Sequence, residues 1–315
     1  MNRLGSMLTW LALALLMGST CGVLWAAPQS EATPPQPPKP PTESLPAAVV
    51  PAAPSHATSV SNLKAVLVVG PIDGDRGSWT TQEKANMDLA AAELEANGVA
   101  VHKFYAPNND WDQISAAADG AHFFLYRGHG IYWTSFPQPA VGGMALHGRL
   151  VSSDDIRRDL NLASNAIIML YGCFTAGSSS IDGHSIGSAE AQRRVVQYSD
   201  PFFDAGASAY YANWYGDAFQ HFLRSLFRGM TLGDAYEAAW DFGDATVERL
   251  TRPDDSRLVL WLDKDYWDKS WQYNNAFTGR PDRTLMDLFQ ATGLGVAPAA
   301  MPYATYMPMV LGGAP

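Results

Sequence analysis

Two stretches decide the fold: Phe123-Phe-Leu-Tyr-Arg-Gly-His-Gly130 and Ala166-Ile-Ile-Met-Leu-Tyr-Gly-Cys173. Each is a short, nearly continuous apolar run, the mark of a strand buried on both faces, and each stops at a glycine followed by a chemically competent side chain. Working outward, Lys64–Gly70 is a similar run, and Thr80-Thr-Gln-Glu83 supplies a capping box ahead of a helix over Ala85–Ala96 that Asn97-Gly98 ends. Val99–Tyr105 reads as a strand and Trp111–Ala118 as a helix. Ser152-Ser-Asp-Asp155 caps a helix through Leu160. Ala207–Ala212 reads as a fifth strand, followed by helices over Ala218–Arg228 and Thr231–Phe242. Leu258–Leu262 is a candidate sixth strand, and Asp263–Trp271 reads as a surface loop or edge. Buried strands alternating with helices predict an α/β fold, a three-layer sandwich with a mostly parallel central sheet, because right-handed crossovers place helices on both faces. Ligands of such sheets sit at the carboxyl ends of the strands.

Composition sets the outer limits. The chain has 315 residues, 47% apolar and 17% charged, too hydrophobic for a disordered protein and too polar for a polytopic membrane protein. Its net charge of −10 repels phosphate backbones, so nucleic acid is not an expected partner. Between Arg3 and Glu31 there is no charge, and Met7–Ala27 is largely apolar. Residues 1–27 therefore read as an export signal, either cleaved or retained as a membrane anchor. Residues 28–62 form a proline-rich tether, with ten prolines between 28 and 60. The folded domain spans 63–288, and 289–315 is a Gly-, Pro-, Ala- and Met-rich tail. The expected location is outside the cell, secreted or tethered to the outer face of the membrane. Of the two cysteines, Cys21 lies in the export segment, which leaves Cys173 as a lone thiol in the domain.

His129, between Gly128 and Gly130, and Cys173, after Gly172, close two consecutive strands. Adjacent strands run about 4.8 Å apart, so side chains at equivalent ends come within reach of each other. An imidazole there can deprotonate a thiol and later protonate a leaving amine. The glycines free the backbone amides of Gly130 and Cys173 to act as an oxyanion hole. Either residue alone is commonly a polar cap or a small hydrophobe; it is the pair that carries the signal.

These segments, with Gly206-Ala-Ser-Ala-Tyr-Tyr-Ala-Asn-Trp214, resemble the successive strands of the caspase and gingipain superfamily (clan CD) of cysteine peptidases, over Leu63 to about Phe242. The Gly-His-Gly turn with Trp133 nearby, and Ser185-Ile-Gly-Ser-Ala-Glu190, resemble the gingipain branch. Leu146-His-Gly-Arg-Leu-Val-Ser-Ser-Asp-Asp155 resembles the CHAT branch. The resemblance implies a caspase-like sheet and peptide-bond cleavage through a thioester, with Cys173 as nucleophile and His129 as general acid and base. It implies no metal for the chemistry, although Ca2+ commonly stabilises or activates members. Gly172 departs from the Ala or Ser usual before the cysteine. Asp217, in Trp214-Tyr-Gly-Asp217, lies where some relatives place an acidic pocket residue that selects Arg or Lys; Trp214, Trp133 and Asp73 are further candidate contacts with a protein or peptide substrate.

Three other signals compete. Gly183-His-Ser-Ile-Gly187 has the form of a serine-hydrolase elbow with Ser185 as nucleophile, but no apolar strand leads into it. Asp73 and Asp75, and also Asp254, Asp255, Asp263, Asp265 and Asp268, are either solvated charge or calcium ligands. The same core can also serve as a binding or scaffold module with an idle dyad.

Overall fold

In the computed structural model the described residues are 62–134, 139–267 and 269–290. The export segment, Cys21, nearly all of the proline-rich tether, Asp268 and the tail from 291 lie outside them. Among the described residues no helix is long and apolar enough to cross a membrane.

The chain alternates strand and helix through its first two thirds: β1 (Lys64–Val69), α1 (Ser78–Ala96), β2 (Ala100–Tyr105), α2 (Trp111–Ala118) and β3 (Phe123–Arg127). An antiparallel trio follows, β4 (Gly130–Trp133), β5 (Ala140–Leu146) and β6 (Arg149–Val151), before α3 (Ser153–Asp159), β7 (Ala166–Tyr171), α4 (Ser188–Asp204) and β8 (Ala207–Asn213). The remainder is α5 (Ala218–Phe227), α6 (Leu232–Glu237), β9 (Glu248–Thr251), β10 (Val259–Trp267), β11 (Ser270–Gly279) and α7 (Leu285–Gln290). The main sheet has eight strands in the order β2-β1-β3-β7-β8-β11-β10-β9. Its first five strands are mutually parallel, while β11, β10 and β9 pair antiparallel.

The three layers follow from the two-residue period of strands. Val66, Val68, Phe124, Tyr126, Ile168 and Leu170 face a core closed by α2, α3, α4 and the small β4–β5–β6 sheet. The intervening Ala65, Leu67, Phe123, Leu125, Ile167 and Met169 face a second core closed by α1, α5, α6 and α7. The α/β three-layer architecture expected from the sequence is therefore the observed one. Strand order reverses beside β1, since β2 lies to one side and β3 to the other, so the loops leaving β1 and β3 part there.

Four local expectations are corrected. Thr80 and Glu83 do not form the α1 capping box. The helix opens earlier, at Ser78, and its free amides are capped by Asp73, which accepts from Trp79 N and Thr80 N, both at 3.0 Å. Glu83 instead lies buried against Arg127, which it binds through Nε, while Asn86 donates to the same oxygen at 3.1 Å. The helix after Thr231 stops at Glu237 rather than Phe242. Asp263–Trp271 is not a loop: residues 259–267 and 270–279 form a hairpin, and Asp263 is 1% exposed. Strand β11 escaped notice because Asn274 and Asn275 sit at its centre, where asparagine is depleted in strands.

Arg127 is fully buried, stacked 4.2 Å from the Tyr171 ring centroid and 4.8 Å from that of Phe219, with Glu83 as its only carboxylate partner among the described residues. Removing one member of such a pair strands the other charge in a medium that solvates it poorly. Glu83→Gln is expected to lower the unfolding free energy by roughly 3–5 kcal/mol, read as a lower urea midpoint at unchanged slope; a midpoint equal to the parent's would show that the pair contributes nothing.

Candidate active site

Strands β3 and β7 run parallel in strict register from Phe123 opposite Ile167 to Arg127 opposite Tyr171. The ladder continues one step further, Gly128 N donating to Tyr171 O at 3.0 Å. His129 and Cys173 therefore stand at matching positions, each two residues past the last paired residue, on one edge of one sheet. The glycines make this approach possible. A Cβ on Gly172 would lie 2.8 Å from Gly128 O and 3.0 Å from Gly130 N, and one on Gly130 would collide with the carbonyl of Cys173. The two turns are thus in direct backbone contact. Gly130 also opens β4, where it pairs with Met144.

The imidazole of His129 is exposed, and its Nε2 lies 2.9 Å from the carbonyl oxygen of Ile72. A carbonyl only accepts, so Nε2 carries the hydrogen and the neutral ring keeps Nδ1 as its base. The thiol of Cys173 is half-buried, with the Ser180 hydroxyl 3.6 Å from its sulfur. Tyr126, buried beneath, accepts from Ala145 N at 3.1 Å and lies 2.9 Å from His129 O, which ties the histidine turn to β5. Burial pushes the Tyr126 phenol well above its ordinary range, so it remains a neutral hydroxyl.

The Ile72 carbonyl is held in place by the loop after β1. Asp73 gathers that loop around the start of α1, accepting from Ser78 Oγ and Thr80 Oγ1, both at 3.2 Å, besides the two amides. Thr80 Oγ1 in turn accepts from Ile72 N at 2.9 Å. Burial raises the Asp73 acid, but the hydrogen bonds from Thr80 and Trp79 outweigh it and hold the carboxyl below its usual value. Both Asp73 oxygens are engaged within the protein, so the residue builds the loop that orients His129. Asp75 accepts from His147 Nδ1 at 2.9 Å.

Beyond the cysteine the chain is fixed from two sides. Phe174 takes a left-handed conformation at φ 70°, strained for an aromatic residue, and its amide donates to Ser178 O at 2.9 Å. Tyr210 of β8 donates to Thr175 O at 2.8 Å, and Ser178 exchanges hydrogen bonds with Tyr273 of β11 at 3.1 and 2.9 Å.

The other candidates occupy the surroundings. Trp133 is half-buried on β4 and donates to Gly142 O at 2.8 Å. Trp214 packs against the first core at the end of β8, its amide donating to Asn274 O at 3.0 Å. Asp217 lies just before α5 on the same edge; its side chain is 43% exposed, 3.3 Å from His221 Nε2, and accepts from Trp240 Nε1 at 3.4 Å. The His221 hydrogen bond is the main reason its carboxyl is held below the ordinary range, against the opposing effect of burial. Ser185 sits on an exposed loop, its Oγ accepting from Trp271 N at 2.8 Å, and no strand runs into that loop. No group of three or more His, Cys, Asp or Glu poised to hold a metal ion occurs among the described residues. The oxygens of Asp263 are taken by Thr246, Gly243 N and Lys264 N, so that residue does not offer a calcium cage.

Sequence reasoning missed three contributors: the Ile72 carbonyl, the Ser180 hydroxyl and the Arg127–Glu83 pair. A backbone carbonyl carries no signal in residue identity. Arg127 did carry one, a charge ending an otherwise apolar strand.

These features define a class: an α/β three-layer protein with a histidine and a cysteine at matching positions on the carboxyl edge of its sheet. No family model matches the chain, and no curated protein matches it either. Among solved structures it is similar to a short-chain flavodoxin associated with a non-canonical PDU bacterial microcompartment, at 15% identity over 46% of this chain and 78% of that one, with a TM-score of 0.26.

Because the two turns touch through backbone, Gly130→Ala must push them apart. We expect a loss of about 1–3 kcal/mol in stability and slower alkylation of Cys173 by iodoacetamide; a variant that melts and alkylates like the parent would show that the contact tolerates a side chain.

Proposed function

We propose that the protein is a cysteine endopeptidase of the caspase and gingipain type, exported and either secreted or held at the outer face of the membrane. The observation that carries this reading is the matched position of His129 and Cys173, with the histidine's Nε2 anchored on the Ile72 carbonyl so that Nδ1 is left as base. In this reading Nδ1 takes the thiol proton and Sγ attacks the substrate carbonyl carbon. The amides of Gly130 and Cys173 receive the oxyanion that forms. The imidazolium then passes its proton to the amine nitrogen, the C–N bond breaks, and the amine leaves with a thioester on Cys173. Water, deprotonated by the same imidazole, attacks the thioester, and the acid product departs as the thiol is restored.

The substrate is a protein or peptide. Asp217, half-exposed and kept ionised by His221, supports a preference for Arg or Lys on the acyl side of the cut bond. No metal enters the chemical steps of this scheme.

Cys173→Ala is expected to abolish cleavage of a diverse peptide mixture read by mass spectrometry, and His129→Ala to lower kcat/KM by about 10²–10⁴-fold. Cleavage that survives Cys173→Ala would refute the assignment. An idle scaffold would give a different result, with no cuts by the parent and a thiol that resists iodoacetamide at neutral pH. In the same mixture, Asp217→Asn is expected to weaken the preference for basic residues while cuts elsewhere persist; an unchanged cut pattern would remove Asp217 from the pocket.

A further inference from the structure

Three carboxylates gather where β8 and β11 end their pairing: Asp241, in the segment after α6, and Asp263 and Asp265 on β10. Among the described residues none of them is ion-paired. The nearby cations are committed elsewhere, Arg249 to Glu237 and Asp244 and Lys264 to Glu248. Asp263 is satisfied by Thr246 Oγ1, Gly243 N and Lys264 N, and Asp265 accepts from Tyr215 OH and Asn274 Nδ2, both at 2.8 Å. Asp241 differs. Its Oδ2 accepts from Asn213 Nδ2 at 2.8 Å and Asn275 Nδ2 at 3.2 Å, whereas its Oδ1 is shut off from solvent without a partner. Asn275 has no exposure at all, and its Oδ1 is likewise without a partner.

A hydrogen on one of them would let these two orphaned acceptors, on groups that already share one hydrogen bond, satisfy each other. A primary amide and a neutral carboxylic acid satisfy each other through a ring of two hydrogen bonds, amide N–H to acid C=O and acid O–H to amide C=O, and half of that ring is already formed. We propose that Asp241 is a neutral carboxylic acid in the folded protein, its Oδ1 hydroxyl donating to Asn275 Oδ1, and that this acid–amide pair is a pH-sensitive clamp on the end of β8. Asn213 carries the clamp onward, its Oδ1 accepting from Tyr215 N at 2.8 Å. The Tyr215 ring rests 4.3 Å from that of Trp240, which bonds Asp217. The clamp therefore holds the segment Trp214–Asp217, which borders the His129–Cys173 edge.

The surroundings favour the protonated form. The groups facing Asp241 are Tyr211 on β8, Tyr215 beyond it, Tyr236 on α6 and Asp263 and Asp265 on β10, all neutral or negative, with Arg249 on β9 already paired. Burial, reinforced by repulsion from Asp265 and Asp263, pushes the Asp241 acid up to about 7 against the pull of Asn213. A folded-state value raised above the ordinary 3.8 means a contribution that is whole below 3.8 and lost as pH rises through about 7. The proton then leaves to solvent and an unpaired carboxylate stays behind.

Infrared spectroscopy of the purified full chain tests this. At about pH 5 a buried carboxylic C=O band is expected that fades through neutrality and is missing from Asp241→Asn, whose amide replaces the hydroxyl as donor to Asn275. The unsubstituted chain should lose several degrees of melting temperature between about pH 5 and about pH 9, and Asp241→Asn should lose clearly less. Protection of the Tyr215 amide from hydrogen exchange, corrected for the intrinsic rate, should fall over the same range. Should Asp241→Asn fail to fold, Asn275→Ala supports the assignment by shifting the band. A band unchanged in both variants, or none in the parent, overturns it, as does a melting temperature at about pH 5 that drops on chelation, because a cation would then be the missing partner.

Discussion

The site depends on one constraint, the backbone contact between two glycine-bearing turns at the ends of β3 and β7. Parallel pairing sets those strands in register by hydrogen bonds alone, and register delivers His129 and Cys173 to equivalent points whatever their side chains do. The last few ångströms come from Gly130 and Gly172, each of which fits only because no Cβ stands between the chains. The reactive pair is therefore placed by the most rigid part of the molecule, the centre of a sheet covered on both faces, and not by the mobility of its own loops.

What lies under that edge is unusually polar for a core. Arg127 with Glu83 fills the space beneath the histidine strand, and Asp241 with Asn213 and Asn275 fills the space beneath the end of β8. The two differ in how charge is managed. The first keeps both ions and relies on mutual attraction and ring faces; the second, among the described residues, has no cation and relies on amide donors and a proton. Arg127 Nη2 reaches Tyr215 O at 3.4 Å, so both clusters bear on the segment that carries Trp214 and Asp217. That wall of the site is held by polar contacts as well as by the packing of Trp214 and Tyr215, which makes it responsive to pH and ionic partners where the β3–β7 floor is not.

The legible part of the sequence was the part ruled by period and by punctuation. Four apolar runs and the mixed Val99–Tyr105 segment announced the parallel half of the sheet, the glycines after Arg127 and Tyr171 announced the two turns, and their order along the chain sufficed to make β3 and β7 neighbours. The antiparallel half stayed hidden for physical reasons. β11 carries asparagines that a lone strand would avoid, and they are tolerated because their amides are received by Asp265 on the neighbouring strand β10 and by Asp241 in the segment after α6. Glu83 read as a cap because spacing alone suggested it; its true partner lies 44 positions away, on a strand whose position only the tertiary fold supplies. Ile72 contributes a backbone oxygen, and any residue at that position would offer the same atom.

The antiparallel half also changes how the site is enclosed. In a purely parallel sheet the strands would end together and leave an open edge, with loops as the only walls. Here β10 and β11 continue past the last β8–β11 pair, Asn213 with Asn275, up to Trp267 and Ser270, and form an arm that stands above the edge. Ser178 and Ser185 bond to the backbone of that arm at Tyr273 and Trp271, so the loop that follows Cys173 is tied to it at two points. The strained Phe174 turn is tolerated because its neighbours are fixed in this way: Tyr210 below and Tyr273 beside it leave the segment little freedom to relax. The hairpin that the sequence concealed thus supports the thiol turn that the sequence displayed.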